Sequence, residues 1–205
     1  VVLLSEPQGA PAEAIRVLRT YLMAHHVHEG RRALAVCAAS SGVGCTFTAT
    51  NLAVSLAQIG VKTLLIDGNM RDPGIDRMIQ PPEVREGLRQ CLASDDLFFH
   101  DGIEANVLPN LSLMYAGGVA PEGQELLAGG RFKDLMEFCL REYEATIVDT
   151  PPANTSSNVR RISTVVGYSL LVARTNQTLV DDMKTLAAQL RGDHAQILGT
   201  VLNEA

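Results

Sequence analysis

The sequence predicts an α/β fold, a doubly wound, mostly parallel sheet with helices on both faces. Three observations carry this reading. Short apolar runs alternate with helical segments from residue 33 onward. Each run is continuously apolar, the pattern of strands covered on both faces. A glycine-containing loop, Ser40–Thr46, joins one such run to a helix. With 205 residues and 46% hydrophobic content, one core is enough, so a single domain over 1–205 is expected. Residues 1–30 form an N-terminal helical region and 31–205 the core.

Pro11 opens a helix reaching about His26, with Ile15, Leu18 and Leu22 at helical spacing. His25, His26 and His28 fall where it ends. A solvated terminus that suits the helix dipole is favoured there over a metal shared by His25 and His28. Ala33–Ala38 reads as a buried strand. The loop then feeds a helix, Phe47–Gln58, closed by Gly60 in the position that favours glycine. Thr63–Ile66 is the next strand and ends at Asp67. Residues 84–93 read as a helix and Leu111–Tyr115 as a strand, while 74–110 has the weakest pattern and is expected to hold loops. Arg131–Arg141 is a helix with Phe132, Leu135, Met136 and Cys139 on one face. Ala145–Val148 is a strand that ends at Asp149, before the stop at Thr150, Pro151 and Pro152. Tyr168–Ala173, a helix over Leu179–Leu190 and Ile197–Leu202 complete the series.

Composition excludes several classes. A net charge of −6 argues against a nucleic-acid partner. Cys37, Cys45, Cys91 and Cys139 are scattered without a close pair, which favours reduced thiols over disulfides or zinc. No apolar run approaches the ~18–20 residues a membrane span needs. No charged segment precedes an apolar one at the start, so no secretory signal is read. The first residue is valine, which leaves room for a membrane anchor outside these residues.

Ligands of parallel sheets sit beyond the carboxyl ends of strands, and Ser40–Thr46, Asp67 and Asp149 all fall there. The loop has the shape of a phosphate cradle, with Ser41, Gly42, Val43, Gly44, Cys45, Thr46 and Phe47 presenting backbone amides at a helix N-terminus. Thr46 supplies a hydroxyl for magnesium, and an acidic residue at a neighbouring strand end, Asp149, can hold the same ion. The residue before the threonine in such loops is lysine, which reaches the β and γ phosphates; here it is Cys45. At a helix N-terminus its thiol is expected to have a lowered pKa and some reactivity. The plainer reading is a degenerate loop in which the cysteine fills space. Arg71 is a spare cation close enough to reach the nucleotide, or else a loop arginine paired with Asp72 or Asp76.

Three segments together, the glycine loop, the stretch 64–73 through Asp67 and the stretch 145–152 through Asp149, resemble the cytoplasmic domain of the bacterial tyrosine kinases that regulate capsule and exopolysaccharide chain length. That group belongs to the same broad class of P-loop NTPases as the MinD/ParA ATPases. The resemblance covers nearly the whole chain. It includes Asn51, Leu52 and Ala53 after the loop, Glu125–Leu127 with Arg131 and Phe132, Arg174 with Thr178, and Val201–Asn203. It also includes Glu13, Arg16 and Arg19, which match a motif used in that family to build ring oligomers, although their spacing alone fits a surface ion-pair ladder.

Carried over by position, the resemblance implies ATP or ADP with magnesium as cofactors. Thr46, Asp67, Asn69 and Asp149 surround the metal, and Asp67 is the base that orients or deprotonates the incoming tyrosine hydroxyl. The implied partners are other copies in a ring and a membrane-spanning co-polymerase segment or activator, at the cytoplasmic face of the membrane. Departures from the family pattern are systematic. Lysine is replaced by Cys45, a second acidic residue by Asn69, and the extra lysine of MinD/ParA loops by Ser40. The tyrosines, Tyr21, Tyr115, Tyr143 and Tyr168, lie far from residue 205. A lysine near a phosphate contributes on the order of ~4 kcal/mol before desolvation, so weak protein-tyrosine phosphorylation is expected. The alternatives are an inactive scaffold acting by ring assembly and a ParA/MinD-like ATPase.

Overall fold

All six residues of Ala33–Ala38 are buried, and their side chains alternate between two cores. Ala33, Ala35 and Cys37 face one, Leu34, Val36 and Ala38 the other. A strand apolar at every position is therefore what a sheet covered on both sides requires. The computed structural model of this chain describes residues 1–81 and 86–204. In order, its elements are α1 (Val2–Ser5), α2 (Ala10–His25), β1 (Ala33–Ala38), α3 (Cys45–Gln58), β2 (Thr63–Asp67), α4 (Ile75–Met78), α5 (Leu88–Ala93), β3 (Glu104–Leu108), β4 (Leu111–Met114), α6 (Gly123–Ala128), α7 (Gly130–Glu142), β5 (Ala145–Asp149), α8 (Asn158–Val166), β6 (Tyr168–Arg174), α9 (Val180–Gly192) and β7 (Gln196–Asn203).

The described strands form one sheet in the order β3-β4-β2-β5-β1-β6-β7. Every pairing is parallel except β3 with β4. One face is covered by α1, α2 and α3, and the other chiefly by α5 to α9. Helix α3 is apolar nearly all round and is buried continuously from Thr48 to Ala57, as expected of a helix sandwiched between the sheet and α2. Helix α7 buries Phe132, Leu135, Met136 and Cys139 and exposes its charged side.

Several expectations need correction. The helix read over 84–93 begins at Leu88; residues 84 and 85 lie outside the described residues. Edge strand β3 went unread because it is polar, half exposed and irregular, with Asn106 at a φ of 54°. Helix α8 also went unread, although Val159, Ile162 and Val166 are buried at helical spacing; the polar residues after Pro152 hid it. The histidines at the end of α2 are not all solvated. His26 is 3% exposed, its Nε2 lies 3.0 Å from the Ala33 carbonyl, and burial, followed by the charge of Arg31, lowers its pKa.

Candidate active site

Parallel register brings the two acidic strand ends together. In the β2–β5 pair Asp67 is the partner of Asp149, and in the β1–β5 pair Val36 is the partner of Asp149. The loop leaving β1 must therefore cross beside both carboxylates before entering α3. Gly42 and Gly44 make that crossing, with φ of +75° and +92°, a conformation other residues adopt at a cost. A Cβ on Gly44 would also collide with the side-chain amide of Asn203.

That amide donates to the Val43 carbonyl at 3.2 Å, and Arg174 Nη1 donates to the Gly42 carbonyl at 3.2 Å. Residues at the ends of β6 and β7 thus brace the loop from its outer side. Sequence comparison marked Arg174 and Asn203 without assigning them a task. Gly44 is the N-cap of α3, so the first-turn amides of Cys45, Thr46 and Phe47 stand at the positive end of the helix.

Thr46 Oγ1 donates to Asp149 Oδ2 at 2.6 Å. Asp149 is fully buried, and its Oδ1 has no hydrogen-bond partner among the described residues. Burial, and then the charge of Asp67, raises its pKa. A buried carboxylate with one oxygen unpartnered and a hydroxyl on the other is a donor set suited to a hard divalent cation, so the residues present fit magnesium.

Asp67 is 1% exposed and accepts three backbone N–H groups: Asn69 on Oδ1 at 3.1 Å, and Gly74 and Ile75 on Oδ2 at 3.0 and 3.1 Å. It therefore holds the loop from β2 to α4 as well as facing the site. Burial raises its pKa while those amides pull it down. Asn69 is engaged by the same loop, its Nδ2 donating to the Asp72 carbonyl at 2.7 Å and its Oδ1 accepting the Asp72 amide at 3.2 Å.

Cys45 departs from expectation. Its Sγ is turned back onto the Val36 carbonyl at 3.1 Å. Burial and the nearby Asp149 charge push the thiol well above its ordinary pKa. The helix N-terminus does not activate it, because the side chain points into the sheet and towards an acid. The reading of a cysteine that fills space fits this geometry; the reactive thiol does not.

The loop, Asn69 and Arg71 line one cavity of about 690 Å³ with Asp72, Arg77, Pro152 and Thr155. Arg71 Nη1 donates to the Thr155 carbonyl at 2.8 Å, so it pairs with neither Asp72 nor Asp76. Asp72 is taken instead by Arg77 at 3.3 Å. Sequence reading missed Arg77, because nothing in its spacing from the loop marks it. Asp67 opens on a second cavity of about 270 Å³, shared with Asp76, Glu86, Gln90 and Tyr115. Glu13, Arg16 and Arg19 lie away from these cavities on α2. Arg16 pairs with Glu13 at 3.1 Å, and Arg19 Nη1 donates to the backbone oxygen and hydroxyl of Ser55 on α3 at 3.3 and 3.2 Å.

This geometry has known counterparts. Residues 34–205 match the family described as the CobQ/CobB/MinD/ParA nucleotide binding domain. The chain is 28% identical to CapB of Staphylococcus aureus over 97% of its own length and 86% of that protein. It is 30% identical to the tyrosine-protein kinase CpsD of Streptococcus pneumoniae, over 84% of this chain and 76% of CpsD. Against the tyrosine-protein kinase Wzc of Salmonella typhi it is 28% identical, and it spans 28% of that longer protein. The kinase domain of the Escherichia coli tyrosine kinase ETK superposes with a TM-score of 0.92 at 28% identity, covering all of this chain and 79% of that one. MinD of Pyrococcus horikoshii, solved with Mg-ADP, superposes at 0.73 and 21% identity over 84% of this chain and 70% of its own, a likeness of fold.

Proposed function

This chain belongs to the CobQ/CobB/MinD/ParA nucleotide-binding family and, within it, to the bacterial tyrosine kinases of capsule and exopolysaccharide chain-length control; from that premise we propose that it binds ATP with magnesium and slowly transfers the γ-phosphoryl group to a protein tyrosine. The observation that carries this is the buried Asp149, hydrogen-bonded to Thr46, register-paired with Asp67 and left with one unpartnered oxygen.

In this reading the amides from Gly42 to Phe47 cradle the phosphates. Thr46 and Asp149 would hold magnesium, which would supply neutralisation of phosphate charge. Asn69 contributes less, because its amide already serves Asp72. Asp67 accepts the phenol proton as the new O–P bond forms and the bond to the β phosphate breaks. Its pKa, raised to about 6, suits a base working near neutral pH. The phenol would approach through the smaller cavity, on which Asp67 opens. Transfer is slow because the position that normally supplies a cation holds a neutral thiol turned into the sheet.

We further propose that copies assemble as a ring through α2 and that the domain works at the inner membrane face beside a membrane-spanning co-polymerase segment. Among the described residues no helix is long and apolar enough to cross a membrane, so the anchor in this reading lies elsewhere. A scaffold that assembles without transferring phosphate is the second reading, and the inward-turned Cys45 is the observation in its favour. A ParA/MinD-like ATPase has less support, since MinD shares only the fold.

The test compares the unaltered protein with Cys45→Lys, measuring magnesium-dependent ATP binding by calorimetry and phosphotyrosine by immunoblot. ATP binding by both is expected, with transfer roughly 100-fold faster in the lysine variant, the size of one lost transition-state donor. Equal transfer rates would show that the site is not impaired. Absence of ATP binding in both would favour the scaffold.

A further inference from the structure

We infer that Arg77 supplies the phosphate-binding charge that the glycine loop lacks, a cation moved from residue 45 to the far wall of the same cavity. This rests on the nucleotide-binding reading above and deepens it. Arg71 and Arg77 are the cationic residues among those lining the 690 Å³ cavity. They do different things there. The guanidinium of Arg71 is held on the Thr155 carbonyl, in the loop that follows β5. The guanidinium of Arg77, on α4, lies instead near the Thr46 hydroxyl, the proposed magnesium ligand.

Gly74 reveals that proximity. A Cβ built on Gly74 would stand 3.2 Å from Thr46 Cγ2, 3.3 Å from Thr46 Oγ1 and 3.4 Å from Arg77 Nη2. The threonine and the arginine thus flank one small gap, which a glycine leaves open. A threonine hydroxyl that carries magnesium marks where the β and γ phosphates meet. That is the place the lost lysine would have reached.

Arg77 is also free to act. Its side chain is 65% exposed, and its ion pair among the described residues is with Asp72, itself 77% exposed. A pair so open to solvent holds its partners weakly, so an arriving phosphate, with more charge and a bidentate face, would displace the carboxylate. Position 45 supplies no cation to the phosphate, because its side chain is a cysteine whose Sγ is hydrogen-bonded to the Val36 carbonyl. An arginine on α4 can contact phosphate oxygens across the cavity without altering the backbone cradle.

The test is a double-mutant cycle on the full chain, read by calorimetric dissociation constants for Mg-ATP and Mg-ADP. Its members are the unaltered protein, Arg77→Ala, Cys45→Lys and the double variant. Arg77→Ala is expected to weaken Mg-ATP binding about 10-fold or more, the size of one charge-assisted hydrogen bond, and Mg-ADP binding by less. In the Cys45→Lys background the same change should cost under about 3-fold, since the two cations serve one role and couple strongly. Arg77→Lys should retain part of the affinity, keeping the charge but losing the two-point contact. Thermal melting without nucleotide separates loss of binding from loss of fold, and is expected to be unchanged by Arg77→Ala because the side chain is exposed. Equal affinities for Arg77→Ala and the unaltered protein would overturn this inference alone, as would an equal loss in both backgrounds. An unaltered protein that binds neither nucleotide would overturn the nucleotide-binding reading together with it.

Discussion

Cys45 and Asp149 show how one substitution alters its neighbours. A lysine at residue 45 would place a positive charge near two buried acids; the thiol places none, so the acids are left to repel one another. Burial raises Asp67 from 3.8 to about 6, and burial with the Asp67 charge raises Asp149 to about 7. The sign of the stability effect follows. Between pH 4 and pH 7 the folded chain holds protons that the unfolded chain has released, so the stability they contribute is complete below about 3.8 and is lost as pH rises through 6 and 7. Without metal, the melting temperature should therefore fall across that window, and magnesium, which binds the ionised acids, should restore it at pH 7 and above. His26 acts in the opposite direction, because its lowered pKa removes stability as pH falls through 6.5 and below. Asp149→Asn isolates the acidic contribution. If it leaves the decline between pH 5 and pH 7 unchanged, the buried pair is not its source.

At the scale of elements, the loop and the strand ends that support it are one mechanical unit. Gly44 and Gly60 both have φ near +90°, yet a Cβ on Gly60 meets nothing within 4 Å while one on Gly44 collides with Asn203. Gly60→Ala should cost about 1 kcal/mol, the left-handed penalty alone. Gly44→Ala should cost roughly 2–3 kcal/mol, because it adds a clash and displaces the Asn203 bond to Val43, and it should abolish nucleotide binding. Urea denaturation of the two variants measures the difference, and equal costs would mean that β7 does not brace the loop. The contrast also marks what was legible in the chain. Strands β1, β2, β4, β5, β6 and β7 could be read because each is a short, predominantly apolar segment bounded by polar or turn residues. The site's carboxylates could be read because they end two of those strands. Asn203 as a brace, Asp67 as a clasp for the next loop, and Arg77 beside Thr46 depend on which strands are neighbours, and no local pattern encodes that. The lowered thiol pKa expected at Cys45 fails for the same reason: a helix N-terminus favours the thiolate, but burial and the adjacent β5 acid do not.

For the whole molecule, the proposed ring raises the question of which face would meet another copy, and α2 divides the answer between its two flanks. Ala12, Ile15 and Leu22 are buried against the fold, and Arg19 is tied to Ser55 of α3. On the outer side Glu13, Val17 and Tyr21 recur every four residues, with Val17 63% and Tyr21 44% exposed, and Arg16 pairs with Glu13 beside them. The three motif residues then have two jobs. Arg19 fastens α2 to α3 and Arg16 ties it to the Pro7 carbonyl of the segment before it, while Glu13 and Arg16 also border an exposed apolar stripe that a ring contact would cover. Light scattering on Arg16→Ala and Val17→Asp is expected to give a smaller assembly for both variants, with unchanged melting temperature for Val17→Asp and a small decrease for Arg16→Ala, which loses the Pro7 bond. Arg19→Ala is expected to lower the melting temperature by a few degrees, the effect of about 1 kcal/mol in a chain of this size, and to reduce assembly only as α2 loosens. Unchanged mass in Val17→Asp and Arg16→Ala would remove α2 from the ring contact. A loss of mass in Arg19→Ala at full thermal stability would instead place Arg19 between subunits, against its bond to Ser55.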